Sequence, residues 1–258
     1  VLIHGWLGHA DSNYILSSGA ALFNDGCSVV RLNLRDHGNT SHLNEEIYNA
    51  ARSAEVIEAV RIIRDCFATG PVGIAGFSLG GNFALRVARA LQLPTIAVCP
   101  ALDPAKTLQQ IDLGWIGYRL FFVRKWQRAM RQKQAAFPDR YRFETALQLS
   151  TVAAMTDFFV NEYSDFADTS EYFAAYTLTG QELADCDATI VYSEDDPVIP
   201  ASDFRGLPAQ LEVNALRHGG HCAFIEQLSG PTWVDKFVTA KFTKLFSTAR
   251  RTSSLSRV

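Results

Sequence analysis

The sequence is short of several signals that would place it in a specialised class. Its formal net charge is −3, so it carries no basic footprint of the kind a nucleic-acid partner needs. Its five cysteines (Cys27, Cys66, Cys99, Cys186 and Cys222) are odd in number and scattered, with no CxxC and no zinc-finger spacing. They read as reduced, mostly buried thiols of a cytosolic protein. No apolar run reaches the roughly 18 residues that span a bilayer; the longest, such as Thr95 to Ala101, are strand-sized. There is no internal repeat and no low-complexity core segment. An initiator methionine is missing too: the chain opens on Val1-Leu2-Ile3, which reads as the tail of a strand. The expectation is an N-terminal truncation that has removed early strands and any targeting segment with them.

What is present is a globular composition. In 258 residues, 48% are apolar and 20% charged, enough to bury the core of one large α/β domain or of a domain with an insertion. Short β-rich runs alternate with helix-period segments, the pattern of a mostly parallel, doubly wound sheet. The strands expected are Val1–Ile3, Ser28–Leu34, Val72–Phe77, Thr95–Cys99, Ala188–Ser193 and Gln210–Leu216. Helices are expected from Glu45 to Phe67, from about Asn82 to Gln92, and from about Thr232 to Leu245. Between Asp103 and Asp185 the strand rhythm stops, and helical segments rich in Trp, Phe and Tyr replace it. That stretch is too long for a structureless loop. The division expected is a core of residues 1–102 and 186–246, a helical cap over 103–185, and a polar, frayed tail over 247–258. The tail's Arg250, Arg251 and Arg257 leave peripheral contact with anionic lipid as a second reading of it. Nothing in the sequence sets an oligomeric state.

Gly76-Phe77-Ser78-Leu79-Gly80 matches G-x-S-x-G, and it directly follows an apolar strand and precedes a helix. A serine on so tight a turn needs neighbours without bulky side chains two residues away, and it sits where a helix dipole favours developing negative charge. Ser78 is therefore the candidate nucleophile. A serine hydroxyl needs a base, and that base needs an orienting acid. Carboxylates follow the strand Ala188–Ser193 in Glu194-Asp195-Asp196-Pro197; Asp196, just before the proline, is the preferred acid, with Asp195 competing and Glu194 behind both. After the next strand comes His218-Gly219-Gly220-His221-Cys222-Ala223-Phe224. His221 is the preferred base, because two glycines let its loop approach the serine and Phe224 can anchor it; His218 is the alternative. The oxyanion donors expected are the backbone N–H groups of Leu79 and Trp6, with Leu7 as the alternative to Trp6. His4 is read as ordering that loop, and Arg35-Asp36-His37-Gly38 as loop capping. A metal site there, with His42, lacks the ligand spacing such sites need.

Taken together these residues resemble the α/β-hydrolase superfamily, and within it the YheT-like esterases (α/β-hydrolase family four), a branch that includes membrane-associated relatives acting on lipids. The resemblance is carried by His4-Gly5-Trp6-Leu7-Gly8, Leu34-Arg35-Asp36-His37-Gly38, Gly76 to Gly81, Asp195-Asp196-Pro197, His218-Gly219-Gly220-His221 and the Phe-, Asp- and Tyr-rich stretch Thr151 to Tyr176. It implies hydrolysis of carboxylic esters, short-chain or acylglycerol-type, through an acyl-enzyme and without a cofactor or metal. The chain departs from the pattern in its missing first strands and in Arg35-Asp36, where the family often has Arg-Gly. Other reactions on the same scaffold, such as thioester cleavage or acyl transfer, stay open. So does a non-catalytic lipid-binding protein.

Overall fold

The computed structural model describes residues 1–255, with side chains described as far as 247. Six strands form one sheet: β1 (Leu2–Ile3), β2 (Arg31–Leu32), β3 (Ile74–Phe77), β4 (Thr95–Val98), β5 (Ala188–Ser193) and β6 (Glu212–Leu216). All pairings are parallel, in the order β2-β1-β3-β4-β5-β6. The central strands β3 and β4 are buried throughout, while the edge strands β2 and β6 are not. That is why the former read as unbroken apolar runs. Side chains alternate between two cores: Leu2 and Ala75 point to one, Ile3 and Ile74 to the other. Helices α1 (Asn13–Asn24), α2 (Ala54–Ile62) and α3 (Leu79–Leu91) follow the first three strands. Four more helices, α4 (Pro104–Leu113), α5 (Ile116–Ala136), α6 (Val152–Tyr163) and α7 (Thr169–Ala174), separate β4 from β5. No strand interrupts them among the described residues. Helix α8 (Trp233–Leu255) packs on α1, where Asp235 accepts hydrogen bonds from Ser17 Oγ (2.6 Å) and Ser18 Oγ (2.5 Å). The backbone of the expected tail thus continues α8 as far as Leu255; its arginine side chains and residues 256–258 lie outside what the structure describes.

Two elements fall short of the periodicity by more than two residues, and both shortfalls have a physical cause. The second strand covers Arg31–Leu32 rather than Ser28–Leu34. After that pair the chain's polar groups turn to the loop after β1: Asn33 Oδ1 accepts from Ala10 N (2.7 Å), and Leu34 N–H donates to His4 Nε2 (3.1 Å) rather than to a neighbouring strand. The helix expected from Glu45 begins only at Ala54. The carbonyls of the preceding residues accept from buried cations instead of from the next turn: Lys133 Nζ donates to Asn44 O (2.6 Å) and Glu46 O (3.0 Å), and Arg86 to Ala50 O (2.7 Å) and Ala51 O (3.0 Å). At its far end the same helix closes in a π-helical turn over Ile63–Phe67. Of the cysteines, Cys99, Cys186 and Cys222 are buried, Cys27 is half-buried and Cys66 exposed, and none is in a disulfide.

Two features fix the loops at the carboxyl ends of β1 and β2. The first is a pair of buried imidazoles whose ring centroids lie 5.0 Å apart. His4 Nδ1–H donates to Gly5 O (2.7 Å), leaving Nε2 to accept from Leu34 N (3.1 Å). His37 Nδ1–H donates to Arg35 O (2.6 Å), leaving Nε2 to accept from Leu7 N (3.1 Å). Each ring therefore bridges the two loops as a neutral tautomer. Burial lowers His4 to about 3 and His37 to about 4. The second feature is the ion pair of Lys133 with Asp36 (2.9 Å), whose side chains are 2% and 8% exposed. It joins α5 to the loop after β2, and burial pulls the Lys133 ammonium below the usual lysine range. The departure Arg35-Asp36 from the family pattern supplies this acid.

Two predictions follow from these loops. Since each imidazole titrates at 6.5 when unfolded but only near 3 or 4 when folded, the unfolded chain binds the extra protons between those values. Stability is full above about pH 6.5 and is lost as pH falls below it, with a slope approaching ~1.4 kcal/mol per pH unit for each ring. Urea unfolding at pH 7 and pH 5 measures this, and equal stabilities would remove the neutral-imidazole assignment. Lys133→Ala strands a buried carboxylate and costs about 3–5 kcal/mol, whereas Lys133→Met combined with Asp36→Asn recovers most of that loss. A double variant no more stable than the single one would show that the pair does not hold α5.

Candidate active site

Ser78 lies between β3 and α3 with φ 55° and ψ −123°, a region that residues with a Cβ rarely occupy. The flanking glycines make room for the turn. A Cβ on Gly76 would strike the carbonyl of Gly80, and one on Gly80 would strike the carbonyls of Ile3 and His4. Ser78 N–H donates to Val98 O (2.9 Å), and its carbonyl accepts from Gly81 N (2.9 Å) and Asn82 N (3.2 Å), so the turn is held from both sides.

The structure brings Ser78, His221 and Asp196 together. His221 Nε2 is 2.9 Å from Ser78 Oγ, and His221 Nδ1 is 2.9 Å from Asp196 Oδ2. Since Nδ1–H donates to the carboxylate, Nε2 is the nitrogen left to accept the serine proton. The Asp196 side chain is 1% exposed, and its Oδ1 accepts from Val198 N (2.8 Å) and Ile199 N (3.0 Å). These amides fix its carboxyl group in place after β5.

Asp195 and His218 do not join that group. Asp195 bonds to the Ser193 hydroxyl and accepts from Gly219 N (3.0 Å) and Gly220 N (2.9 Å), so it orders the loop that carries His221. The Ser193 hydroxyl and the Gly220 amide, with His218 and Gly219 behind them, hold its carboxyl well below the usual carboxylate range. The His218 side chain is 87% exposed and meets Asp195 at 3.2 Å. Glu194 bonds through its backbone N–H to Leu216 O (2.8 Å), as part of the ladder. Phe224 is buried against Trp233, and its N–H donates to Gly219 O (3.0 Å), closing the loop from behind.

The loop after β1 runs beside the serine: a Cβ on Gly5 would come within 3.1 Å of Ser78 Cβ. Gly5 N–H donates to Tyr14 Oη (2.9 Å) and Leu7 N–H to His37 Nε2, which removes Leu7 from the candidate oxyanion donors. The N–H groups of Trp6 and Leu79 have no acceptor among the described residues. Asn82, which carries no motif signal, donates from Nδ2 to Ala101 O and Tyr176 O (both 2.8 Å) and ties the four-helix segment to α3.

A cavity of about 420 Å³ opens on Ser78. Its walls include Trp6, Phe122, Trp126, Phe159, Tyr172 and Tyr176, with Lys125 and Arg128 on one side. Trp6 stacks on Phe122 (5.6 Å between centroids) and meets Trp126 edge-on (4.9 Å), so α5 packs directly on the loop after β1. Neither the pairing of α5 with this loop nor that of Lys133 with Asp36 has a local sequence signature, since each joins segments far apart in the chain. No group of His, Cys, Asp and Glu that could hold a metal ion occurs among the described residues.

Comparison with known proteins places the chain in a family. YheT of Escherichia coli (strain K12), an esterase by name, is 24% identical over 240 residues, spanning 87% of this chain and 70% of its own. Est1E of Butyrivibrio proteoclasticus, solved with ferulic acid bound, superposes with a TM-score of 0.59 at 15% identity, covering 97% of this chain and 88% of its own. A serine hydrolase of Cycloclasticus zankles does so with a TM-score of 0.60 at 15% identity, covering 95% and 89%. Those two likenesses are of fold. The family model described as the alpha/beta hydrolase family matches residues 1–230, and the chain belongs to that family.

Proposed function

We propose that this hydrolase cleaves carboxylic esters through an acyl-enzyme on Ser78. The reading rests above all on the hydrogen-bonded series Ser78 Oγ, His221 Nε2, His221 Nδ1 and Asp196 Oδ2, with both links at 2.9 Å. In the proposed reaction His221 Nε2 takes the hydroxyl proton as Ser78 Oγ attacks the ester carbonyl. Asp196 keeps the imidazole in the productive tautomer and stabilises its charged form. The Trp6 and Leu79 amides, having no acceptor among the described residues, receive the oxyanion, a contribution worth ~3 kcal/mol for each such donor. His221 then protonates the leaving alcohol and activates the water that releases the acid. The α4–α7 segment acts as the cap, and its aromatic walls hold the acyl chain, short or as part of an acylglycerol.

Ser78→Ala removes the nucleophile, so turnover of p-nitrophenyl esters falls by about four to six orders of magnitude while the protein stays folded; retained turnover would end the assignment. Asp196→Asn lowers kcat by about 10⁴, while Asp195→Ala, which loosens only the His221 loop, lowers it far less. Equal losses would move the acid to Asp195 or to both. Across an ester panel from acetyl to long-chain and glyceride substrates, kcat/KM rises by up to about fourfold per methylene until the cavity fills, then falls. A flat profile would detach the cavity from acyl recognition.

A further inference from the structure

The turn between α4 and α5 exposes a cluster of large apolar side chains near the site. Leu113 (76% exposed), Trp115 (71%), Ile116 (54%) and Phe121 (51%) project from it, with Leu120 beside them. Trp115 meets Tyr118 edge-on at 5.6 Å. A cluster of this kind on a single turn marks an interaction surface rather than scattered surface apolarity. It borders the site closely: the inner faces of α4 and α5 supply Leu108, Ile111, Phe122 and Trp126 to the cavity wall, and a Cβ on Gly114 would lie 4.0 Å from Pro197 O, next to Asp196.

The charge around the turn selects among occupants. The ionisable side chains other than tyrosine along α5 are Arg119, Arg124, Lys125, Arg128, Arg131 and Lys133, and none is acidic, in a chain whose formal net charge is −3. Arg124, Lys125, Arg128 and Arg131 are exposed. The one acid in the last turn of α4, Asp112, is turned inward and accepts from Val152 N (2.9 Å) and Ala153 N (2.8 Å). An apolar tip carrying Trp and Tyr, backed by a row of Arg and Lys, has the chemistry of a bilayer interface with anionic headgroups. A second copy of the chain fits less well, because a two-fold interface would set the arginine row against itself. No helix among the described residues is long and apolar enough to cross a membrane, so contact here would lie along the interface.

We propose that the α4–α5 turn, with the basic face of α5, docks the protein on an anionic lipid bilayer, with the cavity opening beside the contact. That the docking delivers lipid esters to Ser78 rests on the function proposed above; the docking itself does not. Co-sedimentation with vesicles of phosphatidylcholine, alone or with one third phosphatidylglycerol, tests it. Binding is expected to the anionic vesicles, at least about tenfold weaker on neutral ones, and falling with added salt. Trp115→Ser with Ile116→Ser, and separately Arg124→Glu with Arg131→Glu, should each weaken it at least about tenfold. None of these four side chains lines the cavity, so hydrolysis of a water-soluble short ester should be unchanged and certify the fold. Ser78→Ala should bind vesicles as the unaltered protein does, which separates docking from catalysis. Absence of vesicle binding, or equal binding by the variants, would overturn the proposal. So would self-association without lipid that Trp115→Ser abolishes, since that would give the patch to a second copy.

Discussion

Ser78 holds φ 55° and ψ −123°, a conformation that costs a residue with a Cβ about 1–3 kcal/mol, and the rest of the architecture is arranged to impose it. The turn can form only if α3 starts hard against β1, close enough that Gly80 leaves no room for a side chain beneath the carbonyls of Ile3 and His4. That approach needs a parallel sheet with β1 and β3 adjacent, as the pairing of Leu2 with Ala75 and of Ile3 with Gly76 provides. The same packing throws the loop after β1 across the serine. There His37 accepts from Leu7 N–H, while Trp6 N–H has no acceptor among the described residues. Backbone strain at one residue and an available amide at another are thus consequences of one close contact.

Much of this was legible in the sequence, for a physical reason. A nucleophile turn, a central strand and a glycine-flanked histidine are local constraints, enforced within a few residues, and they leave local signatures. Strands β3, β4 and β5 lie within two residues of where the sequence predicts them, because both of their faces are covered and charged residues are excluded along their length. The choice between Asp195 and Asp196 could not be read in this way. Both carboxylates follow β5, and what separates them geometrically is that one accepts from the amides of Gly219 and Gly220 across the gap to the next loop, while the other meets Val198, Ile199 and the imidazole. The helix that the periodicity predicts from Glu45 starts only at Ala54 for a related reason. Its periodicity was real, but the carbonyls of its first residues are claimed by Lys133 and Arg86 from other helices, and no pattern within the segment records that competition.

Helix α5 is where these non-local constraints converge. Its inner side carries Phe122 and Trp126 against Trp6, so the position of a candidate oxyanion donor depends on the seating of this helix. Lys133 fixes its far end, since an ammonium so buried is tolerable only while Asp36 and the carbonyls of Asn44 and Glu46 stay in place. Between these anchors the helix presents arginines to solvent, and its amino-terminal turn presents tryptophan and isoleucine. A helix that only covered a core would gain little from exposing large apolar side chains at one end, since each costs hydration without packing in return. The burial of the lysine and the exposure of Trp115 are therefore two parts of one arrangement. The charge that could be neutralised internally is placed inside to fix the helix over the serine, and the apolar surface that is not buried within the chain stands at the rim of the cavity, where another apolar phase could cover it.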